Sequence, residues 1–207
     1  MKIIRVADIG INEAAQQAAL VLRKGGIVLF PTDTLYGLAV DANNTAAIVR
    51  LRELKGREQK KPISIIVDSV DTISVHAELI PEAEILARRH LPGALTLVLP
   101  GKKHLSKELM LNGEIGVRVP NDSFSRKLAS VFSQPFTATS ANRSGLPTQD
   151  TVAGILSNFG PYISYIDLVI DDGERAGSSP STVISFKDGQ IRILREGAIS
   201  KETLFDS

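Results

Sequence analysis

The chain reads as an α/β domain built on a twisted, mixed parallel and antiparallel sheet flanked by helices. Three observations point there. Segments of helical period alternate with short apolar runs of strand length. Near the end, "KDGQ" at Lys187–Gln190 separates two strand-like runs and reads as a hairpin turn, which brings antiparallel pairing into the sheet. No repeat, low-complexity tract or Pro/Ser-rich linker divides the 207 residues, so one domain over 1–207 is expected.

Each element has its own signal. Ile11 to Lys24 carries apolar residues at Ala14, Ala15, Ala18 and Leu22, a helical spacing, with Asn12 as its expected cap and Gly25–Gly26 as its stop. Ile27 to Phe30 is a buried-strand run. Thr45 to Leu54 reads as the next helix and Ile63 to Val67 as the next strand. Pro81 to His90 is helical and leads to a strand at Leu95–Pro100. A strand at Gly116–Val119 precedes a helix at Ser123–Phe132. Phe136–Thr139, Leu168–Asp171, Thr182–Phe186 and Ile191–Leu194 read as strands, and Val152–Phe159 as a helix.

Composition narrows the function. A hydrophobic content of 43% supports a real core and argues against disorder. No apolar run approaches the length of a membrane span, and the charged N-terminus at Lys2, Arg5 and Asp8 lacks a signal-peptide core. The chain has no cysteine, which removes disulfides and thiol catalysis and fits a cytoplasmic protein. His76, His90 and His104 are scattered, so no clustered zinc site is expected. With a net charge of +1, a case for nucleic acid must rest on local patches.

The familiar phosphate loop, dinucleotide fingerprint, nucleophile elbow and zinc-protease motif are all missing. Four other constellations remain. "RLRELKGREQKK" places Arg50, Arg52, Lys55, Arg57, Lys60 and Lys61 against Glu53 and Glu58. Such a run is either a solvated helix face or an anion site, and Gly56 between Lys55 and Arg57 lets both cations converge on one anion. "TATSANRSGLPT", Thr137 to Thr148, is a Ser/Asn turn or a cradle in which Ser140 and Asn142 bind phosphate oxygens. "GSSPSTV", Gly177 to Val183, is a third hydroxyl cluster. Arg118 and Arg195, each at the end of a strand, suit bidentate binding of a carboxylate or phosphate. "FPTDTLYGL", Phe30 to Leu38, crowds hydroxyls where a strand stops, and reads equally as a polar turn or as the floor of a site.

Taken in order, "PTDTLYGL", "KGR", "PGALTLVL", "GVRVP", "TSANRSG", "STV" and "REG" make the chain resemble the Sua5/YrdC/YciO family over about residues 10–198. Lys55-Gly56-Arg57 followed by Ser140-Ala141-Asn142 matches the branch that makes threonylcarbamoyl-adenylate. The resemblance implies a YrdC-like fold with a concave basic cleft, in the short single-domain form without the extra C-terminal domain of longer relatives. It further implies an enzyme, a nucleotidyltransferase that converts L-threonine, bicarbonate and ATP to L-threonylcarbamoyladenylate and pyrophosphate. That product feeds N6-threonylcarbamoylation of adenosine 37 in ANN-reading tRNAs, by hand-off to a tRNA threonylcarbamoyl transferase complex.

On this reading Lys55 and Arg57 are catalytic and grip the ATP phosphates, and Ser140, Asn142 and Arg195 complete the nucleotide site. Arg118 takes the threonine carboxylate. Thr34 contacts threonine, with Ser64 and Ser181 or Thr182 in the same pocket. Mg²⁺ arrives with ATP and no protein residue is expected to ligate it, while Asp33 either supports a neighbour or caps its turn. No organic cofactor is implied. Two departures from the family pattern are Leu35 where valine is common and Glu58 where proline is common. The alternative is a module that binds double-stranded RNA or tRNA without chemistry. The basic stretch favours that module, whereas 5% aromatic residues leaves it few stacking platforms.

Overall fold

The computed structural model describes residues 1–56, 62–175, 177, 179–187 and 190–205. Arg57, Glu58, Lys60 and Lys61 of the basic stretch, and Asp188 and Gly189 of the expected hairpin turn, lie outside the described residues.

Among the described residues ten strands form one sheet. In chain order they are β1 (Lys2–Arg5), β2 (Val28–Phe30), β3 (Gly37–Ala39), β4 (Ser64–Ile66), β5 (Leu95–Pro100), β6 (Glu114–Arg118), β7 (Phe136–Ser140), β8 (Leu168–Asp171), β9 (Thr182–Lys187) and β10 (Gln190–Arg195). Their spatial order is β1-β8-β2-β3-β7-β4-β6-β5-β9-β10. Parallel pairs (β1/β8, β2/β8, β4/β6, β5/β9) mix with antiparallel ones (β2/β3, β3/β7, β4/β7, β5/β6, β9/β10). Lys187 faces Gln190 in the closing pair, so the last two strands do run antiparallel.

The seven helices among the described residues are α1 (Val6–Arg23), α2 (Thr45–Lys55), α3 (Val70–His76), α4 (Pro81–His90), α5 (Ser123–Phe132), α6 (Val152–Phe159) and α7 (Lys201–Phe205). On one face of the sheet, α1 presents Ala14, Ala15, Ala18 and Leu22 to Phe124, Leu128 and Phe132 of α5, over Phe30, Phe136 and Ile170. Alanines at that spacing let the two helices pack closely. The other face carries α2, α4 and α6 over Leu29, Leu38, Ile65, Leu97 and Val117. Strands buried on both faces read as continuous apolar runs, which is why "GIVLF" and "ISIIV" lack alternation.

One expectation changes. The first helix begins at Val6 rather than near Asn12, and it is interrupted at Gly10, where φ is +77°. A side chain is strained at that φ, so glycine carries the break. Asn12 therefore does not cap the element. Side chains cap α2 and α5: Asn44 Oδ1 accepts from Ala47 N at 3.0 Å, and Asp122 Oδ1 from Ser125 N at 2.7 Å. At the far end of α2, Gly56 takes the left-handed conformation (φ +56°) and turns the chain directly after Lys55.

Candidate functional site

β2 and β3 form an antiparallel pair with Phe30 opposite Gly37, so Pro31–Tyr36 is the loop of a hairpin. That loop opens onto a cavity of ≈ 320 Å³ whose other walls come from β4, β5, β6, β7, β9 and β10. Segments far apart in sequence reach it because the sheet order brings β3, β7, β4, β6, β5 and β9 side by side.

The loop is internally wired. Thr32 Oγ1 donates to Leu35 O at 2.7 Å and accepts from Thr34 N at 3.0 Å. Its single proton is thereby spent, so in the 3.0 Å contact between the two hydroxyls Thr34 donates to Thr32. Thr34 Oγ1 in turn accepts from Arg118 Nη1 at 3.0 Å, and keeps one lone pair for a ligand donor. Arg118, buried at 7% exposure, also donates from Nε to Gly93 O at 3.0 Å and pairs through Nη2 with Asp33 Oδ1 at 2.5 Å. Asp33 Oδ2 accepts from Asn121 N at 3.1 Å. Asp33 thus anchors its turn and holds Arg118 at once. Among the described residues three of the five guanidinium N–H groups find partners, and two remain for a carboxylate in the cavity.

Across the cavity Arg195 donates to the Ser181 carbonyl from Nε at 3.1 Å and from Nη2 at 2.8 Å, and to Ser181 Oγ at 3.1 Å. Burial, and after it the nearby Arg118 charge, holds the Arg195 guanidinium below its ordinary pKa. Two cations that penalise one another favour an anion between them. Ser181 Oγ also pairs with Thr96 Oγ1 at 2.9 Å. Thr182, one residue on, faces the other way, as alternation in a strand requires. Its hydroxyl donates to Ile199 O at 2.5 Å and accepts from Gly197 N and Ile199 N, which ties down the C-terminal segment outside the cavity.

Ser64 stands on the cavity floor, with no hydrogen-bond partner for its hydroxyl among the described residues. It lies over Gly116 of β6, where an added Cβ would run into Ser64 Oγ and meet Thr96 Cγ2 at 3.2 Å. With Ser64 in its present rotamer, only glycine leaves room there. Tyr36 forms a wall: its phenol donates to Gly173 O at 2.7 Å and accepts from Asp172 N at 3.0 Å. Burial pushes that phenol above its ordinary pKa, so it stays neutral.

The nucleotide residues expected from sequence divide. Ser140 and Arg195 line the cavity, while Lys55 and Asn142 stand behind it. Buried Lys55 donates from Nζ to Ser140 O and, at 2.8 Å, to Asn142 O. Ser140 Oγ donates to Asn142 Oδ1 at 2.5 Å, and Asn142 Nδ2 to Leu146 O at 2.6 Å. Lys55 and the "SAN" loop are therefore one unit, in which the lysine sets the path of the loop. Arg57 lies outside the described residues. Thr96, Gly116 and Glu114 belong to the site and were not singled out from the sequence. Glu114, Gly116 and Arg118 alternate along β6 on one face, a period-two signal that could have found them. Among the described residues no group of three His, Cys, Asp or Glu side chains is placed to hold a metal ion.

Comparison with known proteins fits this geometry. The family model Sua5_yciO_yrdC, described as "Telomere recombination", matches residues 20–197. The threonylcarbamoyl-AMP synthase of Pyrococcus abyssi is 36% identical over 190 residues, covering 90% of this chain and 55% of that protein. The solved structure of P. abyssi Sua5 complexed with L-threonine superposes with a TM-score of 0.88 at 32% identity, covering 99% of this chain and 60% of that one. Escherichia coli YciO superposes at 0.86 with 25% identity, covering 99% and 98%. The chain thus spans little more than half of the P. abyssi protein.

Proposed function

Since the chain belongs to the Sua5/YciO/YrdC family, we propose that it is an L-threonylcarbamoyladenylate synthase. L-Threonine, bicarbonate and ATP enter, and threonylcarbamoyl-AMP and pyrophosphate leave. The observation that carries the reading is the cavity itself. Arg118 and Arg195 face one space with the hydroxyls of Thr34, Ser64 and Ser181, in a chain whose P. abyssi relative was solved with L-threonine.

The proposed roles are these. The two unused N–H groups of Arg118 take the threonine carboxylate, and the open lone pair of Thr34 takes a donor from the amino acid. The threonine amine attacks the carbon of bicarbonate; the N–C bond forms as a C–O bond breaks, the amine gives up a proton and water leaves, which yields the carbamate. A carbamate oxygen then attacks the α-phosphorus. The new O–P bond forms as the bond to the β-phosphate oxygen breaks, and the electron pair departs with pyrophosphate. No covalent protein intermediate is needed, so the protein supplies position and positive charge. Arg195, on the cavity wall, meets that developing charge, and the Lys55-Gly56-Arg57 motif assigns Arg57 to the same phosphates, while Lys55 fixes the Ser140–Asn142 loop against the nucleotide. Mg²⁺ enters with the triphosphate, held by its oxygens and waters. A basic cleft continuing from the cavity and transient contact with tRNA belong to the same proposal. So do hand-off of the product to a tRNA threonylcarbamoyl transferase complex, a cytoplasmic setting, and one catalytic domain over residues 1–207. No helix among the described residues is long and apolar enough to cross a membrane.

The test is direct detection of product. Mass spectrometry of a reaction holding ATP, bicarbonate and L-threonine should show threonylcarbamoyl-AMP and pyrophosphate, and omission of either small substrate should abolish both. ATP consumption that ignores threonine would overturn the reading.

A further inference from the structure

We propose that Glu114 is a specificity residue that grips the ribose of the nucleotide, its carboxylate accepting hydrogen bonds from the 2′- and 3′-hydroxyls. The inference rests on the synthase reading and deepens it. Glu114 lines the cavity, yet its carboxylate has no ion pair and no hydrogen bond among the described residues. A half-buried carboxylate facing a site whose other charges among the described residues are two arginines is an acceptor waiting for donors, and a vicinal diol supplies two side by side.

Length selects the ribose. Glu114, Gly116 and Arg118 lie on one face of β6, so the Cα atoms of Glu114 and Arg118 are about 13 Å apart at a strand rise of about 3.3 Å per residue. From the threonine carboxylate carbon to the ribose 3′-oxygen of the product runs a path of about ten bonds, which spans about 12 Å when extended. With the carboxylate on Arg118, the carbamoyl phosphate passes over Gly116 beside the unpartnered Ser64 hydroxyl, and the diol reaches Glu114. The purine lies farther along, past the first residue of β6. Two leucines stand at that mouth of the cavity, Leu111 at 37% and Leu194 at 58% exposure, an apolar pair suited to the faces of a base.

The experiment compares ATP, 2′-deoxy-ATP and 3′-deoxy-ATP as substrates for the wild type, Glu114→Gln and Glu114→Ala, with thermal unfolding as the folding control. The wild type should prefer ATP over at least one deoxy analogue by about 10- to 100-fold in kcat/KM. In Glu114→Ala that preference should collapse towards unity, through loss on ATP alone, and Glu114→Gln should fall between. A wild type indifferent to both analogues, or an Ala variant that keeps the full preference, overturns the inference while leaving the synthase standing. Absence of threonylcarbamoyl-AMP with every nucleotide overturns the synthase instead. Calorimetric titration of ATP against the two analogues then reads the ribose contact by itself: equal affinities overturn it, and a preference that Glu114→Ala abolishes supports it.

Discussion

Arg118 Nη1 donates to Thr34 Oγ1 at 3.0 Å, a bond that joins the hairpin loop after β2 to the end of β6 across 84 residues of sequence. Because Thr32 gives its proton to Leu35 O, Thr34 donates to Thr32 and accepts from Arg118. Thr34→Val should leave a buried guanidinium N–H unpaired, at a cost of about 1–3 kcal/mol. It should also raise the KM for threonine about 10- to 100-fold, whereas Thr34→Ser keeps the hydroxyl and stays near wild type. Steady-state kinetics in threonine, beside a denaturant melt, separate the two effects. A Val variant with unchanged KM would remove Thr34 from the substrate site.

Asp33 is the counter-charge of Arg118, at 2.5 Å with side-chain exposures of 16% and 8%. Asp33→Ala strands a buried cation and frees Asn121 N, so a loss of about 3 kcal/mol is expected. Asp33→Asn retains an acceptor and should lose less. The shift in urea midpoint at constant slope measures this, and an Ala variant as stable as the wild type would contradict the ion pair's role.

Lys55 holds the loop that borders the cavity. Its ammonium bonds the carbonyls of Ser140 and Asn142, and its own carbonyl accepts from Ser144 N at 2.8 Å. Lys55→Met should therefore cost about 2 kcal/mol of stability as well as turnover. The change should raise the KM for ATP while leaving the KM for threonine near wild type. Full stability with lost turnover would place the ammonium on the phosphates instead.

The strands and helices that were legible are those with a long run or an exposed face to betray their period. β3 was not, since Gly37-Leu38-Ala39 is three residues buried on both sides and shows neither alternation nor length. The site was legible as motifs and not as contacts. "KGR" and "SAN" each stand out, but Lys55 meets Ser140 only because β7 lies beside β3 in the folded sheet. The choice between Ser181 and Thr182 depended on the register of β9, which no local signal carries. Glu114 escaped because a single carboxylate at the start of a strand carries no meaning until the cavity above it is known.

His76 carries a pH dependence of stability. Burial first, and then the adjacent His104, hold its pKa below the ordinary 6.5, against a smaller upward pull from Asp68. Its Nδ1 sits 3.1 Å from His104 Nε2. The unfolded chain then binds the proton more readily than the folded one, so stability is intact above about pH 6.5 and falls as pH drops below it. The slope from this one group reaches at most about 1.4 kcal/mol per pH unit. His76→Phe should flatten the loss of Tm between pH 7.5 and pH 5.5, and an unchanged slope would assign the effect elsewhere.

Gly116 offers the most local test of the cavity floor. A Cβ there would run into Ser64 Oγ, while Thr96 Cγ2, at 3.2 Å, closes the other direction. Ser64 is the side chain that can move, because its hydroxyl is held by nothing among the described residues. Gly116→Ala should therefore rotate Ser64 into the path of the substrate. Stability should change by only about 1 kcal/mol, since a flexible side chain absorbs the insertion. Turnover should fall by about 100-fold or more, because the reacting carbamate and α-phosphate are expected to cross that point and a displacement of about 1 Å there is costly. Gly116→Ala combined with Ser64→Gly restores the space and should recover part of the rate. If the double variant is no better than the single one, the steric account of the floor fails.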